Sequence, residues 1–268
     1  MGAPARFTEA AGGAGGHTLR LLSWNIQAAT ATGRYHHYVT HGWKQVLPHA
    51  ERVDVLDGIA AVARDFDIVG LQEADAGSLR SGFINQTKYL AEHADFPHWY
   101  QQLNRRVGKI ARASNGLLTR LKPEAIAEHR LPGAIPGRGA LWARYGEGEC
   151  AWVIVVAHLA LGRRARELQL DAIADRLEEW SNAVVVGDLN APLDNPELQR
   201  FLRRTGLRSP TASLRTFPSW RPQRAIDHVL VRGDMDVVDC EVLDCTLSDH
   251  RPVASTLILP AAVRVAGA

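Results

Sequence analysis

Hydrophobic positions along this chain follow two periods. Short, nearly unbroken apolar runs of strand length, LRLLSWN (19–25), DIVGLQE (67–73), AWVIVVAH (151–158) and AVVVGDLN (183–190), predict buried strands. Between them lie stretches in which apolar residues recur every three or four positions. Val55, Leu56, Ile59, Val62 and Ala63 share one helical face of ERVDVLDGIAAVARDF, and Leu170, Ile173, Ala174, Leu177 and Trp180 share one of RRARELQLDAIADRLEEW. Both predict amphipathic helices that cover a sheet. Loops rich in Gly and Pro separate these elements, no repeat of fixed period appears, and no Pro/Ser linker divides the middle of the chain. The pattern predicts one domain of mixed α and β structure over 18–260. A Gly- and Ala-rich disordered tail is expected at 1–17 and a short C-terminal tail at 261–268.

The strands share a habit at their ends. The four runs finish on, or next to, a residue able to hold a metal or a proton: Asn25, Glu73, His158, Asp188 and Asn190. Near the C-terminus the order reverses, with Asp227 heading IDHVLV and the pair Asp249-His250 heading RPVASTLIL. In a mixed sheet, residues that finish some strands and residues that start antiparallel neighbours meet at one rim. Carboxylates with amide oxygens suit a hard cation such as Mg²⁺ or Mn²⁺, and two histidines with a carboxylate partner suit proton transfer. Together they point to phosphoester hydrolysis.

Composition narrows the picture only a little. The 268 residues are 46% hydrophobic and carry 31 basic against 29 acidic side chains, a net charge of +2 that does not mark a nucleic-acid binder. Three cysteines, Cys150, Cys240 and Cys245, form no C-x-x-C pair and give no disulfide framework. The first residues have no apolar signal segment, and the longest apolar run, AWVIVVAHLALG, is too short to span a bilayer. A cytoplasmic protein without a membrane span is expected, and no protein partner is predicted.

Seven short motifs, SWNIQ, LQEAD, SNGLLTR, VVAHLA, VVVGDLNAP, AIDHVLV and SDHRPVA, occur in this order from Leu19 to Leu259. In content and order the chain resembles the endonuclease/exonuclease/phosphatase superfamily, which includes pancreatic deoxyribonuclease, abasic-site endonucleases, neutral sphingomyelinases and inositol-polyphosphate 5-phosphatases. The resemblance implies a four-layer αββα sandwich: two mixed sheets packed face to face, helices outside, and a site at one rim. It implies Mg²⁺ held by Glu73, with Asn25 and Asp249 close to the ion. Asp188 and Asn190 would position the attacking water and a phosphate oxygen, and Asp227 would orient His250, the pair acting as general base or as its electrostatic equivalent. His158 would donate to the phosphoryl group, and Asn115 would contact phosphate unless its Asn-Gly pair is simply a turn. Abasic-site enzymes carry an acid where this chain has Gln27, and Tyr followed by Asn where it has His158 and Leu159, which disfavours that branch.

The segment 28–50, with His36, His37, His41 and His49, follows Asn25 closely and is a candidate lid or packed insertion. Basic clusters occur at Arg105, Arg106 and Lys109, at Arg163, Arg164 and Arg166, at Arg200, Arg203 and Arg204, and at Arg221 and Arg224. The last stands beside Phe217 and Trp220, so Trp220 and Arg221 are candidates to stack a ring and hold a phosphate. The expected activity is a Mg²⁺-dependent phosphodiesterase, with nucleic acid as first substrate class and a phospholipid headgroup or small phosphorylated metabolite as second. A binding module of the same fold without turnover is the non-enzyme alternative. A serine hydrolase lacks its G-x-S-x-G elbow.

Overall fold

The structure, a computed structural model, describes residues 17–29, 49–134, 136–148, 151–210 and 214–259. The expected tails, apart from His17, and most of the 28–50 segment, including His36, His37 and His41, lie outside these residues. His17 already belongs to the first strand.

Strands β1 (His17–Asn25), β2 (Ile68–Asp75), β3 (His98–Val107), β4 (Ala111–Thr119), β10 (Asp236–Val242) and β11 (Val253–Leu259) form one sheet, ordered β10-β11-β1-β2-β4-β3. Strands β5 (Ala125–Arg130), β6 (Gly139–Tyr145), β7 (Trp152–His158), β8 (Asn182–Asp188) and β9 (Asp227–Arg232) form the other, in chain order. Both sheets are mixed: β1 runs parallel to β2 and β7 parallel to β8, and the remaining pairs are antiparallel. Four helices complete the described fold: α1 (His49–Ala63), α2 (Gln86–His93), α3 (Arg163–Leu177) and α4 (Pro196–Thr205).

Three apolar clusters fill the gaps between four layers. The central one packs the facing sheets, with Leu21 and Leu257 from the first against Ile154, Val156, Val184 and Val186 from the second. A second lies between β5–β9 and helices α3 and α4, through Leu170, Ile173, Leu198 and Phe201. A third lies between the first sheet and helices α1 and α2, through Leu56, Ile59, Leu90 and Trp24. Strands β7 and β8 are therefore buried on both faces, which is why their sequences are continuous apolar runs rather than alternating ones. Each large side chain so placed contributes about 1.5–3 kcal/mol. The expected αββα order is the observed one. Helix α3 stops at Leu177, however, so Trp180 lies beyond its end, where its N–H donates to Leu177 O at 3.0 Å and its half-buried ring joins the second cluster.

Strand register sets the location of the site. His158, at the end of β7, pairs with Asp188, at the end of its parallel neighbour β8, and Asp188 pairs with Asp227, which opens antiparallel β9. In the other sheet, Asn25 at the end of β1 pairs with Gln72, one residue before Glu73. The sheets come close at Gly70, where an added Cβ would stand 2.9 Å from Val186 Cγ2 and 3.2 Å from Val156 Cγ2.

Candidate functional site

The close approach of the sheets lets side chains from both rims touch. Asn25 Nδ2 donates to Asp188 Oδ2 across the gap at 3.1 Å, while Gln27 N donates to Asn25 Oδ1 at 3.1 Å. His158 Nε2 stands 3.5 Å from Asp188 Oδ2 and 3.7 Å from Glu73 Oε1, and His250 Nε2 stands 3.8 Å from the same Asp188 oxygen. Glu73 has φ of 56°, in the left-handed region, at a register shift in the β2–β4 pairing between Leu71 and Ala74. Bulges of this kind re-aim a side chain at a local backbone cost of about 1–3 kcal/mol. His250 Nδ1 donates to Asp227 Oδ2 at 2.8 Å, an oxygen that also accepts from Thr216 Oγ1. The turn ahead of β11 is fixed by Trp24 Nε1 donating to His250 O at 3.0 Å and by Ser248 Oγ donating to Asn25 O at 2.7 Å.

The charges of this cluster oppose one another. Burial alone would lower the pKa of His250, but Asp227 and then Asp188 outweigh it and push it up to about 10, so the ring is an imidazolium. Burial, then the positive charges of Arg138 and His250, hold His158 well below its usual value, so that ring is neutral. Burial is also the first cause that raises Asp188, against His250, and Asp249, pushed up to about 6 with Glu73 adding to the rise. Three buried carboxylates, Asp188, Asp227 and Asp249, and the half-buried Glu73 are gathered at this rim, and Asp227 Oδ1 has no hydrogen-bond partner among the described residues. One oxygen each of Asp188 and Asp227 and one ring nitrogen of His250 lie within 4.8 Å of one another. Among the described residues this trio is the group whose ligand atoms stand close enough to share an ion, although His250 Nδ1 is already hydrogen-bonded to Asp227 Oδ2. An oxygen-rich, carboxylate-heavy set of this kind fits a hard divalent cation.

Not every expected residue joins the cluster directly. Asn190, with φ of 54°, donates from N to Asp188 Oδ1 and from Nδ2 to Leu159 O, both at 2.9 Å, so its amide braces the turn after β8. Asn115 and Gly116 lie inside β4, not in a turn, because β4 pairs on both edges. The buried Asn115 amide donates to Gly139 O at 2.9 Å and to Val156 O at 3.4 Å in the opposite sheet. From the loop ahead of β9 it is Phe217 that meets the cluster, its ring 4.8 Å from that of His250, with the Arg224 guanidinium 5.9 Å from the Phe217 ring. Trp220 is half-buried and Arg221 exposed on the same loop.

The residue most in contact with the site that sequence patterns missed is Arg138. Its Nη1 lies 2.6 Å from Nδ1 and 2.8 Å from Nε2 of His158, and burial lowers its pKa against the pull of Glu73 and Asp188. A lone Arg just before β6 offers no local signal. Beside it opens a cavity of about 630 Å³, lined by Glu73, His158, Arg138, Arg105 and Arg80.

Residues 22–250 match the sequence profile of the Endonuclease/Exonuclease/phosphatase family. The chain belongs to this family. Members of the endonuclease/exonuclease/phosphatase family are hydrolases acting on phosphoesters. Among solved structures the chain is similar to an endonuclease/exonuclease/phosphatase from Beutenbergia cavernae, at 24% identity and TM-score 0.69 over 91% of this chain and 72% of that one. It is similar to a mannosyl-6-phosphatase from Bacteroides thetaiotaomicron, at 18% identity and TM-score 0.64 over 89% and 99% of the two chains. The human Nocturnin catalytic domain with bound sulfate aligns at 17% identity and TM-score 0.66 over 90% and 94%. These likenesses establish the fold. Among curated protein sequences none matches the chain.

Proposed function

We propose that this protein is a Mg²⁺-dependent phosphodiesterase, with Mn²⁺ able to replace Mg²⁺ and nucleic acid as its first substrate class. The observation that carries the reading is the convergence of Asn25, Glu73, His158, Asp188 and His250 from both sheets on one buried rim, with Asp227 directly behind His250. Glu73, Asn25 and Asp249 would hold the cation. When bound, it would neutralise charge on the phosphate and on the leaving oxygen.

The remaining work falls to side chains already in place. Asp188, one oxygen facing both histidines, orients the attacking water and receives its proton, a role that suits a carboxyl raised by burial. His250, held as an imidazolium by Asp227, stabilises the negative charge that grows on the phosphoryl oxygens, which favours the electrostatic role for this pair over that of general base. The neutral His158 donates one N–H to a phosphoryl oxygen, with Arg138 beside its ring adding positive charge. Asn190 keeps the Asp188 carboxylate in register through its backbone N–H. Trp220 and Arg221 would contact the body of the ligand, whereas the fully buried Asn115 amide braces the two sheets behind the site.

A panel of plasmid DNA, RNA, sphingomyelin and sugar phosphates, each with Mg²⁺, Mn²⁺ and chelator, tests the reading. Diester cleavage in Mg²⁺ that stops in chelator is the expected result. Cleavage of monoesters alone would replace it with a phosphatase, and inertness toward the whole panel would leave a binding module.

A further inference from the structure

We infer that the basic cavity beside Glu73 and His158 is a subsite for a second phosphate of the substrate, with Arg105 as its specificity-determining residue. The inference rests on the phosphoesterase reading, because the cavity shares Glu73 and His158 with the proposed reaction centre.

Charge is the first argument. Three guanidiniums, Arg80, Arg105 and Arg138, line this cavity against one carboxylate, Glu73. Arg80 is answered by Asp75, at 3.0 Å, and Arg138 packs on His158 within the field of Glu73 and Asp188. The exposed Arg105 guanidinium has no hydrogen-bond or ion-pair partner among the described residues. An unpaired guanidinium next to a second one repels it unless an anion stands between them, and phosphate matches the fork of guanidinium donors.

Backbone geometry is the second. The β3–β4 pairing shifts register between Leu103 and Arg105, and Arg105 lines the cavity just past the shift. Its stem then lies across Gly137, the residue before Arg138: a Cβ on Gly137 would stand 2.8 Å from Arg105 Cβ and 3.0 Å from its Cδ. Only a residue without a side chain leaves that path open, so the two guanidiniums are brought to the same cavity by construction. The lining also includes the small Ala111 and Ala113 of β4 and Ala160 after β7, beside the larger Val107 and Leu161. A volume near 630 Å³ is in the range that holds a sugar phosphate or a nucleotide. The cluster at Arg105, Arg106 and Lys109 is thus divided: Arg105 lines the cavity, whereas Arg106 Nε donates to Gly108 O at 3.1 Å.

Equilibrium affinity tests this independently of turnover. Calorimetry with thymidine 5′-monophosphate and thymidine 3′,5′-bisphosphate, with Mg²⁺ and again in chelator, should show the wild-type protein binding the bisphosphate about tenfold tighter or more, the usual worth of one charge-assisted contact. Arg105→Ala should bring that ratio close to one, and Arg106→Ala should leave it as it is. A thymidylate trinucleotide separates two sources of the second phosphate. Equal affinity of bisphosphate and trinucleotide assigns the subsite to a small ligand, and tighter binding of the trinucleotide alone assigns it to a polynucleotide. Equal affinity for monophosphate and all phosphate-extended ligands, or a preference that survives Arg105→Ala, overturns the inference. A protein that shows the preference yet hydrolyses no phosphoester would sink the functional reading and leave the subsite standing; hydrolysis without the preference would do the reverse.

Discussion

The ion pair between Arg166 on α3 and Glu197 on α4 offers a prediction whose size follows from burial. Arg166 is 6% exposed and Glu197 1% exposed, and the guanidinium donates twice to Glu197 Oε1, at 3.2 Å from Nε and 2.7 Å from Nη2. Arg166 Nη1 also donates to Ala160 O at 3.2 Å and to Leu161 O, so the pair ties two helices to the turn that follows His158 and borders the cavity. Arg166→Met leaves the buried Glu197 carboxylate with only Asn195 Nδ2 at 3.4 Å and Arg163 Nε at 3.8 Å as side-chain partners, a change that costs up to about 3–5 kcal/mol. In a protein of this size that lowers Tm by roughly 10 °C. Arg166→Met combined with Glu197→Leu removes both charges and should restore most of the loss, since an apolar replacement of a buried pair is often neutral. Urea denaturation of wild type, both single variants and the double variant closes the cycle. Burial alone would raise the carboxyl pKa of Glu197, but the Arg166 hydrogen bonds outweigh it and hold it low. The stability it contributes is therefore present above the ordinary glutamate pKa of about 4.3 and is lost as pH falls through the depressed value. A single variant no less stable than the double variant, or a wild-type advantage over Arg166→Met that grows on acidification below pH 4, would show that the pair does not stabilise the fold in this way.

Other outcomes follow from the same geometry. Asp227→Asn keeps a group of the same shape beside His250 Nδ1 but removes the charge that holds its proton, and kcat should fall about 10²–10⁴-fold with KM little changed, as read by steady-state kinetics. Gly70→Val drives a branched side chain into Val186 and Val156 between the sheets and should cost at least about 1–3 kcal/mol by chemical denaturation. In chelated protein, the raised pKa of His250 adds stability that is fully present below its ordinary value and lost as pH rises toward about 10, a loss that Asp227→Asn should move to lower pH.

Much of this was legible in the pattern of residues because the strands that carry the site are also the most buried. Continuous apolar runs mark β7 and β8, and a polar residue at the end of such a run, His158 or Asp188, is conspicuous against them. What escaped depends on contacts distant in sequence. Arg138 becomes notable only when β6 and β7 bring it against His158. Nothing in the composition of the cluster at Arg163, Arg164 and Arg166 marks one of its members as buried, yet Arg166 is buried against Glu197, while Arg204 of α4 reaches Glu178, just past the end of α3, at 2.7 Å. Asn115-Gly116 carries the composition of a turn, and pairing on both edges of β4 overrides that preference. In the aromatic and basic loop ahead of β9 the ring that meets His250 is Phe217, for which the loop's composition gives no more signal than for Trp220. None of the described helices is long and apolar enough to cross a membrane.

On the proposed reading, side chains from both sheets hold one divalent cation and cleave a phosphoester beside it. The most direct test is the rate of bis-p-nitrophenyl phosphate hydrolysis by chelator-treated protein as Mg²⁺ is added back, for wild type and Glu73→Ala. A saturable, Mg²⁺-dependent rate in the wild type that falls at least about 10³-fold in the variant is the predicted result, because loss of the ion forfeits several kcal/mol of charge stabilisation. A rate that is the same without Mg²⁺, or one that Glu73→Ala leaves intact, would contradict it.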